Sequence, residues 1–160
     1  MSSRGTINLT PVGFVKTEAV GKEVRDKSLI SKIVFREELT EALEGIQDFS
    51  HLFVIFWLHK MEEREKATMK VHPRGRRDLP LLGVFATRTP CRPNPLGLTR
   101  VKLLSVEGNI VTVQGLDAFD GTPVLDIKPF DFWDRTEEVT VPGWWMELEK
   151  EMLERKKENR

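Results

Sequence analysis

The longest uninterrupted apolar run in the chain is Leu52-Phe-Val-Ile-Phe-Trp-Leu58. It falls far short of the ~20 residues that a bilayer-spanning helix needs, so no membrane span is expected. Its aromatic and β-branched side chains suit a strand buried on both faces. The other apolar segments are just as short. Ile7–Lys16 reads as a strand interrupted at Pro11, and Ser31–Arg36 alternates polar and apolar residues as a half-buried strand does. Leu82–Thr87, Val101–Val106, Ile110–Gln114 and Val124–Lys128 are further strand candidates, with Gly108-Asn109 as a two-residue hairpin signal. Thr40–Gly45 reads as one or two helical turns, Thr40 as N-cap and Gly45 as stop. Beyond Pro142-Gly143, the spacing of Trp145, Leu148 and Met152 predicts an amphipathic helix that frays into a charged tail.

Short strands without long helices alternating among them disfavour a doubly wound α/β fold. The expected class is mainly β, a closed or nearly closed β-barrel with a short helix and a C-terminal amphipathic helix. At 160 residues the chain is one domain, with the barrel over 1–140 and the helix and charged tail over 141–160. Nine Phe and four Trp supply a core that needs no disulfide, and Cys91, the single cysteine, cannot form an internal one. No apolar segment follows the opening Met1-Ser2-Ser3-Arg4, so a secretory signal is not expected and the cytoplasm is the expected compartment.

Lys and Arg together number 25, as do Asp and Glu, so overall charge makes no case for nucleic-acid affinity and only local clustering can. The stretch from Lys66 to Arg77 supplies such a cluster, including Arg74, Arg76 and Arg77. The segment Met61–Pro80 has no apolar periodicity and is broken by Pro73, Gly75 and Pro80, which predicts a mobile loop.

Two stretches concentrate unusual chemistry. In Gly83-Val-Phe-Ala-Thr-Arg-Thr-Pro-Cys-Arg-Pro-Asn-Pro-Leu-Gly-Leu-Thr99 three prolines stiffen the chain and hold Arg88 and Arg92 on a rigid loop. Guanidinium groups bind carboxylate or phosphate oxygens bidentately, and a pre-ordered loop loses less entropy in doing so; the alternative is that both arginines pair with acids of this chain. In Gln114–Pro129, Asp120-Gly121 is a turn signal by itself, while Asp117 and Asp126 have no comparable turn role and suit ribose hydroxyls or cationic groups. His51, His59, His72 and Cys91 lack zinc-site spacing, so no metal is expected. Neither G-x-G-x-x-G nor a P-loop occurs, so a nucleotide-like cofactor would have to bind without those fingerprints.

The segment Gly83–Thr99, followed by Gly115-Leu-Asp-Ala-Phe-Asp-Gly-Thr-Pro-Val-Leu-Asp-Ile-Lys-Pro129, resembles the TsaA-like family, whose characterised members are TrmO-type tRNA methyltransferases. Phe49–His59 and Pro11–Lys16 look like that family's earlier blocks in the same order, and the resemblance covers roughly residues 7 to 130. It implies a β-barrel that binds S-adenosylmethionine without a Rossmann domain, generally as a homodimer, and methylates the exocyclic nitrogen of N6-threonylcarbamoyladenosine beside the anticodon of tRNA. By motif position it implies cofactor contacts at Lys27, Ser28 and Leu29, at His59 and Lys60, at Arg88 and Leu98, and at Gln114, Gly115, Leu116 and Asp117. Arg88 is assigned to the methionine carboxylate or a substrate anion, and Asp117 to ribose or amino groups. Arg92 is assigned to a phosphate or the threonyl carboxylate. Asp120 and His59 are the candidate bases, and Arg74, Arg76, Arg77 and Arg92 the candidate tRNA contacts. Longer bacterial members carry a C-terminal domain where this chain is expected to have the Trp144-Trp145 helix. A module that binds S-adenosylmethionine or RNA without catalysis, and a methyltransferase for another RNA or a small molecule, are the alternative functions.

Overall fold

A short amphipathic strand hides its apolar face only against other strands, and a sheet that closes on itself leaves no unpaired edge. The computed structural model, which describes residues 5–158, takes this route. Six antiparallel strands form a closed barrel in the order β1 (Gly13–Lys16), β2 (Ile30–Phe35), β7 (Ile110–Gln114), β6 (Leu96–Glu107), β3 (His51–Trp57) and β8 (Pro123–Pro129), with β8 returning to β1. A two-stranded ribbon, β4 (Lys70–Val71) and β5 (Leu82–Gly83), lies apart from it. A four-residue helix α1 (Glu63–Lys66) and a 16-residue helix α2 (Gly143–Glu158) complete the chain.

Alternation writes the barrel interior. Val15, Ile33, Leu52, Val54, Phe56, Val101, Val111, Val113 and Val124 are all buried, while their chain neighbours point outward. The Leu52–Leu58 run, expected to be buried on both faces, is buried on one: Leu52, Val54 and Phe56 fill the core and His51, Phe53, Ile55 and Trp57 are half-buried outside. In the β6–β7 hairpin Glu107 pairs with Ile110, Gly108 takes φ +60, and the Asn109 side chain donates to the Phe35 carbonyl at 2.7 Å.

Several expected boundaries move. The first strand is only Gly13–Lys16, because the residues before Val12 do not join the ladder. Leu82–Thr87 pairs for two residues and then winds into a 3-10 turn at Val84–Ala86, and β6 starts at Leu96. The helical turn before Gly45 spans Glu37–Leu43 with Arg36 as N-cap; Thr40 sits inside it, donating to the Glu37 carbonyl at 2.7 Å. The Met61–Pro80 segment is an organised arm. β4 pairs with β5, His72 Nδ1 meets the Leu79 carbonyl at 2.8 Å, and Arg76 reaches Glu151 on α2 as well as Asp78. Strand pairing and polar contacts, one of them across 75 residues to α2, order it where apolar periodicity does not.

The antiparallel order fixes which loops share an end. The C-termini of β1, β3 and β7 and the N-termini of β2, β6 and β8 lie together, so Thr17–Leu29, Leu58–Pro95 and Gly115–Thr122 form one mouth of the barrel. Leu116 and Ala118 are buried in the core cluster.

Candidate functional site

All the expected site residues fall on those three crossings or on the strand ends beside them. Two of the crossings are locked together. The Gly115 N–H donates to the Leu29 carbonyl at 2.9 Å, and the Gln114 side-chain amide donates to the Ser28 carbonyl at 3.2 Å. Gly115 is required here: its φ is +88, and a Cβ would sit 3.2 Å from the Lys27 carbonyl oxygen. The Lys27 ammonium lies 3.5 Å from the Gly115 carbonyl and 4.0 Å from the Asp117 carboxylate. Ser28 is turned by Asp26, which accepts from its N–H and its hydroxyl at 2.8 and 2.7 Å.

Asp117 ties this cluster to the barrel wall. Its Oδ1 accepts from the hydroxyl of Thr99, a buried β6 residue, while Oδ2 faces Lys27. Leu98 is different: it precedes Thr99 on the strand and points to the outer face, 60% exposed. Leu116 is completely buried in the core, so it shapes the mouth from beneath and no part of it is exposed to a ligand. No motif assigns Thr99 a role; period-2 alternation along β6 places it inward.

His59 and Lys60 follow the end of β3. The Lys60 ammonium sits 3.9 Å above the Phe119 ring, joining the Leu58–Pro95 and Gly115–Thr122 crossings by a cation–π contact. His59 is exposed, and the partial desolvation of its ring first, with the neighbouring Lys60 charge second, holds its pKa below the ordinary histidine value of 6.5. His59 is therefore neutral at pH 7 and offers a ring nitrogen as proton acceptor.

Asp120, the other candidate base, is built into the turn. It accepts from the Thr17 N–H at 3.0 Å and lies 3.5 Å from the Lys16 ammonium. The Thr17 hydrogen bond chiefly, and Lys16 after it, hold its carboxyl below the usual aspartate value. It is ionised and a weak base.

The proline-rich loop is stiff by bonding as well as by composition. Thr87 Oγ1 donates to the Val84 carbonyl and accepts from the Thr89 N–H, and Thr89 Oγ1 accepts from the Cys91 N–H. Arg92 staples the same loop: its Nη1 donates to the carbonyls of Val84, Thr87 and Thr89 at 3.2, 2.9 and 3.2 Å, and its guanidinium lies 5.6 Å from the Phe85 ring. Arg88, exposed on that loop, makes no hydrogen bond or ion pair to the described residues. The two arginines thus separate into one that organises the loop and one whose guanidinium is open to a ligand.

The basic arm divides in a similar way. Arg76 is paired with Asp78 and Glu151, and those carboxylates raise its pKa further. Arg74, at the left-handed φ of 55, reaches the Met152 sulfur with Nη2 at 3.1 Å, and Arg77 is exposed without an ion pair to the described residues. Among the described residues no cluster of His, Cys, Asp and Glu is arranged to hold a metal ion, and no helix is long and apolar enough to cross a membrane.

Residues 16–133 match the family model of the tRNA-methyltransferase O N-terminal domain. A probable S-adenosyl-L-methionine-binding protein of Methanothermobacter thermautotrophicus is 43% identical over 129 residues, covering 78% of this chain and 90% of that protein. The mouse tRNA (adenine(37)-N6)-methyltransferase is 47% identical over 119 residues, 74% of this chain but 27% of the mouse protein. A crystal structure of TrmO from P. aeruginosa superposes with a TM-score of 0.70 at 26% identity, over 89% of this chain and 63% of the TrmO chain.

Proposed function

Since this chain belongs to the tRNA-methyltransferase O N-terminal domain family, we propose that it is an S-adenosylmethionine-dependent tRNA methyltransferase whose cofactor lies at the barrel mouth. The observation that carries this reading is the locked pair of segments Lys27–Leu29 and Gln114–Asp117, joined to β6 by the Thr99–Asp117 hydrogen bond. The groups there fit the cofactor's chemistry. Asp117 suits ribose hydroxyls or the α-amino group and Arg88 suits the α-carboxylate, while the buried, left-handed Gly115 lets the two crossings pack together beneath them. S-adenosylmethionine supplies a methyl group on a sulfonium, ready for in-line displacement by a nitrogen nucleophile.

The protein's own work is alignment, exclusion of water and acceptance of one proton from the nitrogen that is methylated. We assign that proton to the neutral ring of His59 and leave Asp120 to hold Thr17 and Lys16. The N6 nitrogen of threonylcarbamoyladenosine beside the anticodon is the acceptor this reading favours. The threonyl carboxylate or a backbone phosphate would meet the donors of Arg92 that the loop carbonyls leave free, and Arg74 and Arg77 on the arm would meet further phosphates. The protein acts as a homodimer in the cytoplasm. The exposed Phe85 and Leu98 near the mouth supply apolar surface for a second copy.

Isothermal titration with S-adenosylmethionine tests the cofactor assignment. The wild-type protein binds with a measurable heat, and Arg88→Ala, which loses one charge-assisted contact of roughly 1.5–3 kcal/mol, binds about 10–150-fold more weakly. Equal affinity in a folded Arg88→Ala protein removes Arg88 from the cofactor site.

A further inference from the structure

The outer surface of β3, β6 and β8 carries aromatic rings and cations in register. Lys102 pairs across to His51, and the Phe130 N–H donates to the His51 carbonyl at 3.0 Å. In the next outward row, Arg100 and Lys128 flank Phe53 from its two sides. The Phe53 and Phe130 rings meet edge-to-face at 5.4 Å, and the Arg100 guanidinium lies 5.2 Å from the Phe130 ring. Neither Arg100 nor Lys102 has a carboxylate partner among the described residues, whereas Lys128 meets Asp126 at 3.0 Å. Just beyond Phe130, a 3-10 turn capped by Asp131 presents Phe132 and Trp133 at 82% and 91% exposure.

Two aromatic side chains so fully in water, just past a ring that meets Arg100 and on a face where Arg100 and Lys102 lack carboxylate partners among the described residues, call for a partner that is both anionic and planar. We propose that this face binds single-stranded RNA, with phosphates on Arg100, Lys102 and Lys128 and unpaired bases stacked on Phe132 and Trp133. Single strands are held by this combination of aromatic platforms and backbone-tracking cations. Phe, Trp and Arg also suit a protein interface, but lysine is depleted from interface cores and Lys102 here has no carboxylate partner among the described residues, which favours the anionic partner. The cluster lies at the barrel end opposite the mouth; β3 spans His51–Trp57, about 20 Å at the usual rise per residue, so a strand of RNA held here extends along the barrel to bring its acceptor to the mouth. The proposal rests on the tRNA reading above and names the surface that would hold the RNA.

The probe is a short, end-labelled single-stranded oligoribonucleotide, followed by fluorescence anisotropy across a salt series. Joint replacement of Arg100, Lys102 and Lys128 by Ala lowers the slope of log affinity against log salt by about 2, at roughly 0.7 per phosphate contact. Trp133→Ala weakens binding by roughly 5–150-fold at unchanged slope, the worth of one stacked base, and Trp133→Phe retains most of the affinity. All three variants bind S-adenosylmethionine like the wild type. If affinity and slope survive both alanine variants while the wild type still binds cofactor and methylates tRNA, this surface assignment falls and the proposed function stands. If Trp133→Ala instead splits a dimer in light scattering and leaves RNA affinity intact, the face is an interface between copies and the proposal is overturned. Failure of the wild type to bind the cofactor overturns the proposed function itself.

Discussion

Replacing His59 with Ala is expected to slow methyl transfer by about 10²–10⁴-fold, the usual contribution of a positioned base. The accompanying change in pH dependence separates a base from a residue that merely packs. Protonated His59 cannot accept a proton, so the wild-type rate rises with pH through the His59 pKa and levels off above it. Partial desolvation of the ring and Lys60 set that midpoint below 6.5. Lys60→Met removes the like charge and moves the midpoint up, while His59→Ala abolishes this limb. Asp120→Asn leaves the limb in place, because the Asp120 carboxylate is committed to Thr17 and Lys16. A wild-type rate flat across this pH range, or a limb that follows Asp120, contradicts the assignment of the proton to His59.

The second large effect is on stability. Phe56→Ala is expected to destabilise the barrel by about 3–5 kcal/mol, read as a lower denaturation midpoint at unchanged slope. Phe56 is 2% exposed and its ring lies across β6, over the position where a Cβ on Gly97 would come within 2.3 Å of it. The pair Phe56–Gly97 in the β3–β6 register is thus one packing unit, a large ring on one strand laid over the missing side chain of the next. Gly97→Ala forces the ring aside and is destabilising by itself, yet costs less in a Phe56→Leu background; the two changes are non-additive. Additive free energies would show that the ring and the glycine do not interact.

That pair marks how far the sequence is legible. The Leu52–Leu58 run announces β3, and the alternation of Ile30–Phe35 and Ile110–Gln114 announces β2 and β7, because inward residues every second position can serve only a strand with one buried face. The first half of β6 is not announced. Leu96-Gly-Leu-Thr99 follows three prolines and reads as loop, and what makes it a strand is its partner β3, with Gly97 admitting the Phe56 ring. The Met61–Pro80 arm looked mobile for a related reason. Part of its order comes from Arg76 reaching Glu151, 75 residues away, and no local pattern records such a contact.

The site was legible as residue types in motifs but not as a constellation. Arg88 and Arg92 look equivalent on a proline-rich loop, and only the three carbonyls around Arg92 show which of them organises the loop. Asp117 and Asp120 are likewise two carboxylates of one motif. One joins Thr99 and Lys27 at the mouth, and the other closes a turn. What gathers these residues is strand order, in which the crossings after β1, β3 and β7 must emerge at the same end. The motif positions are compatible with that order but do not determine it.

Mass analysis of tRNA nucleosides is the most direct test of methyl transfer to tRNA. tRNA carrying N6-threonylcarbamoyladenosine, and the same tRNA lacking that modification, are incubated with the protein and isotope-labelled S-adenosylmethionine, then digested and analysed. One labelled methyl group is expected on the threonylcarbamoyl nucleoside of the modified tRNA and none on the unmodified acceptor. Binding of S-adenosylmethionine without label entering either tRNA would contradict methyl transfer and identify a binding module.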